Sequence, residues 1–165
     1  MESQVLYETS YTFHISLLII LVLLVAVPYV MIQQAKAVRK DKSPSNIFGL
    51  VMFSIGTLVI IFVTAVVIPD EINMYDSTVG AYNRGDYQIV EGYVENFHPM
   101  PKEGHDTESF TVNGVLFEYG YTATFGYHKA KVDGGVITGN GQHLRIGYTK
   151  YDWLGKVIVY IEELP

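Results

Sequence analysis

ISLLIILVLLVAVPYVMI (Ile15–Ile32) and IFGLVMFSIGTLVIIFVTAVVI (Ile47–Ile68) decide the fold, because neither stretch contains a charged residue. As a helix rising about 1.5 Å per residue, the second run extends roughly 33 Å and crosses a hydrocarbon core of about 30 Å with modest tilt. The first, extended upstream by Phe13 and His14, is just long enough. A soluble helix of this length normally shows a polar face, and a backbone in lipid must satisfy its own hydrogen bonds. Both runs are therefore read as membrane helices.

A cleaved signal peptide is the rival for the first run, with Ala35-Lys36-Ala37 as a small-residue cleavage site. Such a leader needs a basic n-region, whereas residues 1–12 hold Glu2 and Glu8 and no Lys or Arg. The run is expected to be a retained anchor. Orientation follows from loop charge. The connecting segment 33–46 carries Lys36, Arg39, Lys40 and Lys42 against Asp41, while the N-terminal flank has no base and the next one after Ile68 is Arg84. Basic residues near helix ends favour the cytoplasmic side. The expectation is a two-pass protein of the bacterial cytoplasmic (inner) membrane, with the N-terminus and the C-terminal domain outside. A cytoplasmic domain is the alternative.

The chain thus divides into a transmembrane hairpin over 1–69, a membrane-proximal connector over 70–86 and a small β-barrel domain over 87–165. From residue 69 onward fourteen acids face seven bases, a net of minus seven, so DNA and RNA polymers are excluded as partners. The absence of cysteine removes disulfides, thiolate metal sites and cysteine nucleophiles together.

The domain's pattern is β. In Glu108–Tyr119, Asn113-Gly114 has the positive-φ tolerance of a two-residue type I′ hairpin, which pairs Val112 with Val115 and Phe110 with Phe117. Their side chains share one face with Tyr119, while Ser109, Thr111 and Glu118 fall on the other. Further strands are predicted over 87–97, 142–149 and 156–162, with turns at Gly139-Asn140-Gly141 and 152–155. Several short strands in so few residues predict a sandwich or, more economically, a small curled barrel with few open edges. In the hairpin, Gly49 and Gly56 lie near one face of the second helix, where α-helices approach closely; packing on the first helix is preferred there to homo-oligomerisation.

Two clusters carry chemistry. The segment 97–108 holds His98, His105 and Asp106, whose imidazole and carboxylate groups suit copper or zinc, although a proline-stiffened polar loop is the simpler reading. His98 or His105 with Asp106 and Ser109 also has the residue types of a nucleophile and base, but no nucleophile elbow, Walker or dinucleotide motif accompanies them. No enzyme activity and no cofactor are expected. The second cluster, Phe125, Tyr127, His128, Lys129 and Lys131 with Arg145 further along, gathers bases among aromatics that could stack on a nucleobase while cations meet phosphate. A solvated loop is its simpler reading.

The stretch from Val90 to Phe110, continuing through Val112-Asn-Gly-Val115, resembles a group of uncharacterised small bacterial domains and implies no mechanism. The layout of two membrane helices followed by a compact β domain is similar to the two-transmembrane β-barrel effectors of cyclic-oligonucleotide antiphage systems. That resemblance implies a cytoplasmic barrel whose ligand drives assembly and membrane disruption, in conflict with the charge-derived orientation. The favoured expectation is a non-enzymatic envelope protein whose β domain binds a small ligand or partner protein. The antiphage effector and an envelope metal-binding protein are the alternatives.

Overall fold

The computed structural model describes residues 2–10, 15–102, 106–120, 123, 125–151 and 155–165, with residues 15–17 described in backbone only. The chain forms two compact units, residues 12–72 and residues 1–11 with 73–165.

The first unit is a helical hairpin. α1 (Ile15–Lys40) and α2 (Pro44–Tyr75) are both long and apolar enough to cross a membrane. α1 runs through most of the predicted connecting segment, so Lys36, Arg39 and Lys40 lie on its final turns, where cations also suit the helix dipole. Only residues 41–43 join the helices. Ser43 Oγ accepts the backbone N–H of Asn46 at 3.4 Å and Pro44 follows at the first helical position, a capping arrangement that starts α2 sharply. Gly49 and Gly56 face α1: a Cβ on Gly49 would come within 3.1 Å of Gln34 Oε1, and one on Gly56 within 3.7 Å of Val27 Cγ1. The Ser54 and Thr57 hydroxyls donate to the carbonyls of Leu50 and Phe53, both at 2.8 Å, which disposes of their polarity within the helix. Large apolar side chains, among them Leu21, Val25, Leu58 and Phe62, are exposed along the hairpin's flanks.

In the second unit the helical path of α2 continues through a π-helical turn at Asp76–Gly80 into α3 (Ala81–Arg84), which Gly85 ends at φ +73°. The predicted connector is thus helical nearly throughout. Thr78, Val79, Gly80 and Ala81 are buried, and the π turn packs on two of the strands that follow it. Six antiparallel strands make the sheet: β1 (Gln4–Glu8), β2 (Gln88–His98), β3 (Glu108–Val112), β4 (Val115–Tyr119), β5 (His143–Tyr151) and β6 (Gly155–Glu163), in the order β1-β6-β5-β2-β3-β4. The hairpin at Asn113-Gly114 has the expected register, with Val112 opposite Val115 and φ of +48° and +76° at the turn. β2 serves two partners. Its first half pairs with β5 as far as Tyr93 opposite His143, and its second half pairs with β3 from Val94 opposite Val112. A bulge at Asn96, φ +52°, shifts the register between Glu95 and His98.

The expected barrel is corrected to an open sheet. β1 and β4 are its edges, and among the described residues no ladder joins them. The reason lies in the chain after β4, which adopts one short 3-10 turn at Lys131–Asp133 and otherwise irregular structure among its described residues up to β5. Instead of supplying strands, this loop supplies Tyr127, Ala130 and Ile137 to the core. It also reaches β6 directly, where Tyr127 N–H donates to Ile158 O at 2.8 Å. Gly126 permits that approach, since its φ is +71° and a Cβ there would lie 2.7 Å from Ile158 O. The core beneath is apolar and aromatic, built on Val94, Phe110, Val112, Phe117, Leu144, Ile146 and Ile161.

Candidate functional site

The loops at one end of β3 are organised by a buried acid. Glu108 shares the strand face of Phe110 and Val112, so alternation turns it inward, and it is fully buried. Its carboxyl oxygens accept the Tyr119 hydroxyl at 2.7 Å, the Lys131 backbone N–H at 3.0 and 3.1 Å, and the Met100 N–H at 3.4 Å. One side chain therefore ties β3 to β4, to Met100 beyond the end of β2 and to the start of the 3-10 turn. Burial, then the bond to Glu108, pushes the Tyr119 phenol well above its ordinary value. Tyr119 also meets Tyr127 edge-on at 5.2 Å, and Tyr127 meets Tyr7 of β1 at the same distance.

Around this hub the nucleotide-type cluster divides. Tyr127 is a core residue whose hydroxyl oxygen accepts the Val136 N–H at 2.6 Å, and burial raises its pKa. Phe125 is half-buried. His128 and Lys129 are exposed, with His128 Nδ1 2.9 Å from Gly126 O. The Lys131 ammonium donates to Thr138 O and sits 5.5 Å from the centre of the Phe97 ring. Arg145 belongs to a different arrangement. It lies on β5 between Glu91 of β2 and Glu162 of β6, pairing with them at 3.0 and 2.8 Å, so two carboxylates already engage its guanidinium. The Glu91 contact heads the causes that raise its pKa. Glu162 is held below its usual range first by a hydrogen bond from Ser3 and also by Tyr160 and Arg145.

The metal-type cluster is brought together in part. His98 Nε2 stands 3.3 Å from Asp106 Oδ2, and both side chains are largely exposed. The Thr107 N–H, then His98, hold Asp106 below the ordinary carboxyl value. His105 lies outside the described residues. Among the described residues no group of three or more His, Cys, Asp or Glu is placed to hold a metal ion. In register, His98 is opposite Ser109 and Ser109 opposite Glu118, which makes a polar row across β2, β3 and β4. Glu118 accepts the Thr107 hydroxyl at 2.8 Å.

Beyond Arg145 the outer face of β2 and β5 presents Tyr93 stacked on His143 at 4.5 Å, with Ile89 exposed nearby on β2. Further along, Tyr82 stacks with Tyr87 at 5.5 Å and faces Tyr160 at 6.4 Å. Gly147 leaves room for this layer, because a Cβ there would fall 2.8 Å from the Tyr87 ring. Sequence reasoning missed Glu108, Glu91 and Glu162. For Glu108 the signal was present, since it shares the parity of Phe110; for the other two, only the cross-strand register reveals the role. No family model, curated protein or solved structure matches this chain.

Proposed function

We propose that this chain is a two-pass membrane-anchored binding protein of the bacterial envelope, without catalytic activity, whose sheet unit takes a small ligand or partner protein through its loop end. One observation carries the reading. β1 precedes the apolar hairpin in sequence and pairs along β6, which follows it. Backbone pairing cannot run through a bilayer, so the hairpin leaves and re-enters the same side, as a two-pass anchor does. The basic residues at the end of α1 and at Lys42 then favour placing the turn inside and the sheet outside. The Glu108 hub supports binding through this loop end, since its hydrogen bonds reach Met100, Tyr119 and Lys131 together.

The effector reading stays second, favoured by the hairpin-plus-sheet layout and by Lys129 and Lys131 on one loop. Arg145 contributes little to it, because Glu91 and Glu162 compete for its charge. A metal-binding role is third and rests on His98 beside Asp106. Calorimetric titration of the full chain in nanodiscs tests all three. The account expects no saturable heat with cyclic dinucleotides or zinc. A cyclic-dinucleotide isotherm lost in Lys129→Ala/Lys131→Ala would install the effector reading, and a zinc isotherm lost in His98→Ala would install the metal one.

A further inference from the structure

β1 is an edge strand of the sheet and pairs with the C-terminal part of β6. None of its residues is buried, Val5 is 48% exposed, and its ladder is interrupted by a register shift between Val5 and Tyr7. Opposite it stand Tyr160, Ile161, Glu162 and Glu163 of β6, of which Ile161 and Glu162 are buried. Stripped of β1, residues 160–163 of β6 would present an open backbone edge, which seeks another strand. In sequence β1 precedes residues 12–72 and β6 follows them, yet both belong to one compact unit.

We infer that β1 is an exchangeable strand: in the membrane, β1 of one copy pairs along β6 of a second copy, in the register it uses within one chain. The occupant is set by continuity with the existing ladder. Exchange preserves Gln4 opposite Glu163, the Tyr7 ring against Tyr127, the Ser3 bond to Glu162 and the Tyr82 bond to Glu8. The contacts of the two arrangements are therefore the same, and their balance is set by effective concentration. Anchorage, on which this inference rests, confines copies to one plane with their sheets on one side, which raises the concentration of foreign β1 strands at each β6.

The chain contains no cysteine, so disulfide trapping reads the pairing without background. Full-length Gln4→Cys and a differently tagged full-length Glu163→Cys are co-expressed and oxidised in native membranes. The expected product is a disulfide heterodimer carrying both tags, several-fold above that from Gln4→Cys with Leu116→Cys on the opposite edge strand, β4. A heterodimer no stronger than this control, while the double variant Gln4→Cys/Glu163→Cys closes an internal disulfide, overturns the inference by showing that β1 stays in its own chain. Failure of the double variant to close overturns the β1–β6 register and the inference with it. Failure of the anchorage reading is seen separately, as release of the protein from membranes by alkaline carbonate.

Discussion

Replacing the fully buried Glu108 with alanine removes the acceptor shared by Tyr119, Lys131 and Met100. A buried donor stranded without a partner costs about 1–3 kcal/mol. The Tyr119 hydroxyl bears that penalty in full, the part-buried Lys131 N–H adds about 1 kcal/mol at most, and the vacated volume about 1 kcal/mol more. Against a typical total stability of about 5–15 kcal/mol, Glu108→Ala should leave the sheet unit marginal. Glu108→Gln keeps the size and one carbonyl oxygen but turns an amide NH2 toward a donor, and should cost about 1–3 kcal/mol. Tyr119→Phe, which removes one donor and keeps the ring, should cost about 1 kcal/mol. Because Glu108 and Tyr119 share a bond, the cycle combining Glu108→Gln with Tyr119→Phe should show a coupling of about 1 kcal/mol. Urea unfolding of the full chain in detergent, followed by near-ultraviolet circular dichroism from the parent's 13 tyrosines, reads all four variants against the parent. A Glu108→Ala protein within about 0.5 kcal/mol of the parent, the range of an ordinary surface change, would refute the hub.

Three other outcomes follow from the same geometry. Gly126 and Gly85 have nearly the same φ, +71° and +73°, but an added Cβ meets Ile158 O at 2.7 Å in the first and nothing within 4 Å in the second. Gly85→Ala should therefore cost about 1 kcal/mol for conformation alone and Gly126→Ala at least about 1 kcal/mol more for the clash, as urea midpoints will show. Burial raises the phenol pKa of Tyr7, Tyr119 and Tyr127, and Tyr82 is pushed up to about 12. The folded chain then holds protons that the unfolded chain releases near pH 10, so stability should be constant below about pH 10 and fall as pH rises above it. Midpoints measured between pH 8 and 11 check the sign, and Tyr119→Phe should shallow the fall. Asn113→Val, at φ +48°, should cost about 1–2 kcal/mol in the same assay, with Asn113→Gly tolerated.

What was legible in the chain was local. The apolar runs specified the helices by length and composition, and Asn113-Gly114 with its flanking alternation specified the hairpin to the residue. The strands predicted over 87–97, 142–149 and 156–162 agree with β2, β5 and β6 to within two residues at each end. What was not legible depended on distant partners. β1 is five residues with no strong alternation, and only β6, at the other end of the chain, makes it a strand. Closure into a barrel was expected from strand count, yet the described residues between β4 and β5 form no strand and put Tyr127, Ala130 and Ile137 into the core. Of the basic cluster, Lys129 and Lys131 share a loop as their sequence proximity requires. Arg145 is drawn instead into a ladder by Glu91 and Glu162, neither of which is near it in sequence. Tyr127 reads as a surface aromatic beside lysines, but its ring packs between Tyr7 and Tyr119.

The central claim is that a strand from before the membrane hairpin and the sheet after it occupy one side of the bilayer, outside the cell. Single cysteines at Glu2, Lys42 and Lys129, each introduced into the cysteine-free full chain, report this through an impermeant maleimide applied to intact spheroplasts. The account predicts labelling of Glu2→Cys and Lys129→Cys, and labelling of Lys42→Cys only after permeabilisation. Labelling of Lys42→Cys alone would reverse the orientation and advance the effector reading, and Glu2 and Lys129 on opposite sides would contradict the β1–β6 pairing itself.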